Sequence, residues 1–173
     1  FILQELEPES TAYNLFNIVP WDGEPDLEKL ERTLNALIHR HESFRTSFIT
    51  VGDRPVQRIH WTVDFKILFH DFSGEPDDAD FSGHRFFVKP FDLSRAPLLR
   101  VAVVKLPDNR YMLLIDMHHI ITDGTSLVIF VREFQRLYNG ETLDPPALRY
   151  KDFSQWQNSP ARRQEMEKQE SYW

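Results

Sequence analysis

The chain has 173 residues, 41% hydrophobic and 27% charged, with 14 Phe and 4 Trp. That is the composition of one aromatic-rich globular domain and excludes a disordered chain. A formal charge of −7 argues against non-specific binding to nucleic acid or anionic lipid, and the absence of cysteine excludes disulfides, thiolate metal sites and a cysteine nucleophile.

In chain order, Tyr13 to Trp21 alternates as a strand does, and Pro20, Gly23 and Pro25 punctuate the turn after it. Leu27, Leu30, Leu34, Leu37 and Ile38 then fall three or four apart behind Asp26, a good N-cap, which predicts an amphipathic helix to about Arg40. Phe44 to Thr50 and Pro55 to Trp61 read as a hairpin around Gly52 and Asp53, and Val63 to Phe69 as a further extended piece. A helix is expected over 78–89, ended by Pro90. Leu98 to Leu106 and Tyr111 to Met117, rich in Val, Leu and Ile, flank Pro107, Asp108 and Asn109 and predict a central hairpin. From Thr125 the spacing of Leu127, Phe130, Val131, Phe134, Leu137 and Tyr138 is helical, and Gly140 stops it. The tail beyond Pro160 reads as a solvated helix. No run approaches the roughly 18 apolar residues of a membrane span and no leader pattern opens the sequence, so a soluble cytoplasmic protein is expected. Phe1 begins mid-element, and Tyr172 and Trp173 leave two large apolar groups at the other end, so a partner segment is expected to cover them.

Chemistry concentrates in His118-His119-Ile120-Ile121-Thr122-Asp123-Gly124, between the last strand and the last long amphipathic helix. Successive strand side chains point to opposite faces, so only one histidine can address a given site. The structural alternative is that both are hydrogen-bonded fixtures. Asp123 can orient an imidazole, pair with an arginine or cap the helix that follows, and Gly124 permits close approach or a turn. A metal site is disfavoured, because adjacent strand positions cannot supply zinc geometry and no His-Glu-x-x-His pattern is present. Ser126 lacks the Gly-x-Ser-x-Gly frame of a hydrolase nucleophile, and His39, His60, His70 and His84 have no recognisable partner.

These residues resemble the HHxxxDG signature of the condensation domains of non-ribosomal peptide synthetases, members of the chloramphenicol acetyltransferase-like superfamily. Two further segments match in order: Arg40-His41-Glu42-Ser43-Phe44-Arg45-Thr46-Ser47-Phe48 resembles RHExLRTxF, and Tyr150-Lys151-Asp152-Phe153-Ser154-Gln155-Trp156 resembles YxDFAxW. Lys89-Pro90-Phe91-Asp92-Leu93 followed by Ala96-Pro97-Leu98-Leu99-Arg100 is also similar to these domains, so the likeness covers nearly the whole chain. The family's opening motif and all its later motifs are absent, so the resemblance implies that 1–173 is the N-terminal subdomain, with the C-terminal subdomain expected outside this chain.

The resemblance implies an α/β (α+β) fold of mixed, largely antiparallel sheet with helices packed on it. It implies attack by a carrier-bound aminoacyl amine on a carrier-bound acyl or peptidyl thioester, with His119 as base or positioning group. The phosphopantetheine arms are then substrates carried by partner proteins, and no cofactor or metal is bound directly. His118, Asp123, Gly124 and Arg45 receive roles in loop architecture, with an Asp123–Arg45 pair implied; the alternative is that Asp123 only caps the next helix. Upstream and downstream carrier proteins, an adjacent adenylation domain and the missing half are the implied partners, and the isolated half is expected to be inactive. An epimerisation domain shares His-His-x-x-x-Asp-Gly, but the Arg40-His41-Glu42 segment argues against it; a superfamily acyltransferase using a free alcohol or amine stays open, as does a non-catalytic interaction module.

Overall fold

A computed structural model of the chain describes residues 1–75, 86–170 and 172, and divides into two compact units, Phe1–Leu143 and Asp144–Trp173. The first unit opens with a short helix, α1 (Ile2–Leu6), which the sequence pattern did not announce, and continues into β1 (Asn14–Trp21) and α2 (Leu27–Arg40). Asp26 caps α2 by accepting from the Lys29 N–H at 2.9 Å, and Leu30, Leu34, Leu37 and Ile38 form its buried stripe. A 3-10 turn over Glu42–Arg45 then leads into β2 (Thr46–Val51) and β3 (Arg54–Ile59). The expected strand start at Phe44 therefore falls in the turn, two residues before pairing begins. β2 and β3 form a separate two-stranded antiparallel sheet, closed by Gly52 at φ +60, a conformation that favours glycine.

The extended piece expected over Val63 to Phe69 is shorter and later than predicted: β4 runs Leu68–Asp71. The reason is local, since the Ile67 N–H donates to the Glu31 carboxylate at 3.2 Å and not to a neighbouring strand. The helix expected over 78–89 lies mostly outside the described residues, and Phe86 and Phe87 stand in a turn. β5 (Leu99–Lys105) and β6 (Tyr111–His118) form the expected central hairpin around a 3-10 turn, Pro107–Asn109. The four-stranded sheet has the order β1-β6-β5-β4, with β4 parallel to β5 and the other pairs antiparallel. This is the mixed, largely antiparallel sheet the sequence implied. α3 (Gly124–Tyr138) follows β6 after the histidine loop, and Gly140 takes φ +84 behind its end.

Alternation along β6 divides the core. Tyr111, Leu113, Ile115 and Met117 join Leu30, Leu34 and Leu37 of α2 and Phe130 of α3 in the larger cluster. Leu114, with Ala102 and Val104 of β5, joins a smaller cluster packed by Phe16, Phe72, Phe86 and Phe87. Asp116 and His118 share Leu114's parity and thus its face.

The second unit holds α4 (Tyr150–Gln157) and α5 (Pro160–Glu170). The YxDFAxW-like motif lies on α4, where Asp152 accepts from the Arg149 N–H at 2.9 Å and Tyr150, Phe153 and Trp156 form a run of ring contacts. α5 is largely exposed, as a solvated helix should be. Among the described residues, no helix is long and apolar enough to cross a membrane.

Candidate active site

The two histidines at the end of β6 have opposite fates. His118 is 3% exposed and both ring nitrogens are engaged. Its Nδ1 accepts from the Ile120 N–H at 3.0 Å, so the neutral ring carries its proton on Nε2, which donates to Gln4 Oε1 at 3.3 Å. The direction is consistent at Gln4, whose amide nitrogen donates to the carbonyls of Glu7, Pro8 and Ser10. Burial, the largest cause, pulls the His118 pKa down from 6.5 to about 4. At neutral pH this ring is an uncharged structural group.

His119 is exposed, and its backbone N–H donates to the Tyr13 carbonyl at 2.8 Å, one step beyond the β1–β6 ladder. It lines a cavity of about 300 Å³ with Phe1, Leu3, Gln4, Tyr13, Ile120 and an edge of the otherwise buried His118. An imidazole displayed on a fixed backbone beside an apolar recess can exchange protons with a bound group; a buried, doubly bonded one cannot.

Asp123 caps α3: its carboxylate accepts from the Ser126 N–H at 2.8 Å. Hydrogen bonding from Ser126, hydroxyl as well as amide, holds its pKa below the usual carboxylate value. The implied Asp123–Arg45 pair is not formed. Arg45 is buried and spends its guanidinium on backbone carbonyls: Ile38 and His39 at 3.2 Å each, with His60 and Trp61 on the other side. Those carbonyls, at the end of α2 and just past β3, have no ladder partners, and the arginine fork satisfies them together. Gly124 is the first residue of α3; its φ lies outside the left-handed region and an added Cβ would meet nothing within 4 Å. Neither strain nor packing within the chain requires glycine there.

The condensation-domain family model matches residues 1–173. The chain belongs to the condensation-domain family. It is 42% identical over 173 residues to surfactin synthase subunit 2 of Bacillus subtilis (strain 168), covering all of this chain and 5% of that protein. It is 41% identical to bacitracin synthase 3 of Bacillus licheniformis over 173 residues, all of this chain and 3% of that one. Among solved structures, the starter condensation domain of the rhizomide synthetase RzmA superposes with a TM-score of 0.76 at 23% identity, over 94% of this chain and 42% of that one. The first condensation domain of the calcium-dependent antibiotic synthetase, in complex with a substrate analogue, gives 0.68 at 24% identity, over 85% and 37%. These likenesses carry the fold, and the expected mixed, largely antiparallel sheet with helices packed on it is the fold observed. The chain spans a small fraction of the synthases and about two fifths of the solved domains.

Two polar clusters of this condensation-domain chain were not singled out from sequence. In the first, Glu133 of α3 accepts from Arg40 Nε at 2.9 Å and meets His41 Nε2 at 2.6 Å, joining the RHExLRTxF-like segment to the helix behind the histidine loop. Burial alone would raise the Glu133 pKa, but the bonds to Arg40 and His41 outweigh it and hold the carboxylate below its ordinary value. In the second, Asp116 of β6 is fully buried, paired with Arg100 of β5 at 2.8 Å and with the Asn14 side-chain amide of β1 at 2.8 and 3.1 Å. The available signal was a charge inside an otherwise apolar strand, and a carboxylate on the apolar stripe of a helix. Among the described residues, no cluster of three or more His, Cys, Asp or Glu side chains is placed to hold a metal ion.

Proposed function

We propose that residues 1–173 are the N-terminal subdomain of a non-ribosomal peptide synthetase condensation domain and that His119 serves amide-bond formation. The observation that carries this reading is the contrast within the histidine pair at one cavity: His118 buried, neutral and hydrogen-bonded at both nitrogens, His119 exposed on a pinned backbone. Full-length agreement with the family model and the order of the three motifs support it.

The acceptor is the amine of an aminoacyl group on a carrier-bound phosphopantetheine arm, and the donor is a carrier-bound acyl or peptidyl thioester. Tethering both lets position carry much of the rate. The ammonium, with an ordinary pKa of about 8, loses one proton; the amine then attacks the thioester carbon, and the C–N bond forms as the C–S bond breaks. The positively charged nitrogen loses a second proton and the departing thiolate gains one. An imidazole of ordinary pKa about 6.5 is suited to take the nitrogen's proton, or to hold that nitrogen while it leaves. His118 fixes the loop, Asp123 caps α3, Arg45 ties the end of α2 to the segment after β3, and Gly124 leaves room at the helix start for an acceptor arm.

In this reading the partners are upstream and downstream carrier proteins, an adenylation domain and the C-terminal subdomain, in the cytoplasm, and the isolated half is inactive because its recess is one wall of a tunnel. The test is an acyl-transfer assay of the complete domain, comparing carrier-bound acceptors with soluble amines and alcohols. Amide formed only on the carrier-bound acceptor is expected. Equal transfer to soluble acceptors would replace this reading by a free-acceptor acyltransferase, and turnover by the isolated 173-residue chain would contradict the need for a second half.

A further inference from the structure

A buried carboxylate is costly and persists only where charged or hydrogen-bonding groups compensate it. Asp116 is such a group, two residues before His118 on the same face of β6. Its partners come from both neighbouring strands: Arg100 of β5 and Asn14 of β1, which stands opposite His118 in the ladder. Asn14 and Arg100 also both donate to the Lys89 carbonyl, which draws a third segment to the same point. Phe91, in that segment, places its ring under the Arg100 guanidinium at 3.8 Å and edge-on to His118, with ring centres 6.1 Å apart. The residue before Asn14 is Tyr13, whose carbonyl accepts from the His119 N–H. Whatever fixes the end of β1 against β6 therefore fixes the backbone of His119.

Well-packed apolar groups could fill this space at no loss of stability; a charged, three-way hydrogen-bonded node instead specifies one register. We propose that Asp116, clamped by Arg100 and Asn14, is a positioning residue for His119. The inference rests on the reading of His119 given above and deepens it by assigning the carboxylate that sets where that imidazole stands. Asp116 is fully buried, so it acts through Asn14, the Tyr13 carbonyl and the His119 amide.

Single-turnover amide formation by the complete domain, with both carriers loaded, separates positioning from folding, because amplitude counts competent molecules and the rate constant reports their geometry. Asp116→Asn is expected to lower the rate constant on the order of 10- to 100-fold with little loss of amplitude. The double variant Asp116→Asn/Arg100→Gln is expected to regain the melting temperature lost by Arg100→Gln alone, since no charge is left unpaired, yet to stay slow. Should Asp116→Asn not fold, Asn14→Ala keeps the ion pair and is expected to slow the same step by roughly 3- to 10-fold. A parental rate constant with reduced amplitude overturns the proposal. Hydrogen exchange at the His119 amide reads the same displacement without catalysis: protection is expected to fall at least about tenfold in Asp116→Asn while α2 amides keep theirs. If the parental domain makes no amide, the functional reading fails, and unchanged His119 protection would independently overturn the positioning role.

Discussion

The two faces of β6 are built for different ends. The face carrying Tyr111, Leu113, Ile115 and Met117 is apolar throughout and lies in one cluster with α2 and α3. The other begins apolar at Leu114 and turns polar toward the loop, through Asp116 to His118. Burying a Leu or Ile side chain contributes about 1.5–3 kcal/mol without fixing its direction, whereas a hydrogen bond of neutral His118 contributes about 0.5–1.5 kcal/mol, those to charged Asp116 mainly offset the cost of burying it, and each specifies a geometry. Stability therefore resides mainly on the helical face, and the placement of the histidine loop on the other.

The sharpest way to break this division is Leu34→Ala, which leaves a cavity under α2 and is expected to cost about 2–5 kcal/mol in denaturant unfolding. Its effect on His119 amide exchange should be no larger than on the rest of β6. A selective loss at His119 would mean that the faces are not separable.

Acid separates them next. The folded-state pKa of His118, about 4, lies below its ordinary 6.5, so the unfolded chain binds more protons between those values and stability falls as pH drops through that window. The full effect is at most about 3 kcal/mol. Glu133 acts lower: its folded pKa is depressed below 4.5, so its contribution is present above that value and is lost as pH falls through the folded one. Stability measured against pH should thus fall in two steps. His118→Asn, which keeps an acceptor near Nδ1, should remove the upper step, and Glu133→Gln should lessen the lower, which Asp123 and other carboxylates of depressed pKa share; an upper step untouched by His118→Asn would contradict its assignment.

Smaller effects sharpen the picture at the loop exit. Gly124→Ala should raise stability by less than about 1 kcal/mol, because no strain or clash opposes the methyl and alanine favours helix, while amide formation by the complete domain slows. Unchanged turnover would remove the arm from that position. Asp123→Ala should lower the melting temperature slightly through the lost cap, and its effect should add to that of Arg45→Ala, since the two side chains have separate partners. Strong coupling would restore the ion pair that this structure lacks.

What could be read from sequence follows contact distance. α2, with its Asp26 cap, and α3, with its apolar stripe, are local patterns, and the β5–β6 hairpin joins neighbours in sequence, so all three were predictable. The parallel pairing of β4 with β5 and the union of Asn14 with Asp116 across 102 positions have no local signature. The motif names His118, His119 and Asp123 but not their partners: Arg45 was matched to an acid it does not touch, because a guanidinium that serves carbonyls looks the same in sequence as one that serves a carboxylate. The residues alone do not tell His118 from His119; the family resemblance assigned the chemical role to His119, and the physical difference between them, burial, depends on Gln4 and Tyr13 from the other end of the unit.

The central claim is that the exposed histidine, and not its buried neighbour, meets the reacting amine. Single-turnover amide formation by His119→Ala in the complete domain tests it directly. The account predicts a fall of about 10²-fold in the rate constant with the melting temperature unchanged; product appearing at the parental rate would contradict it.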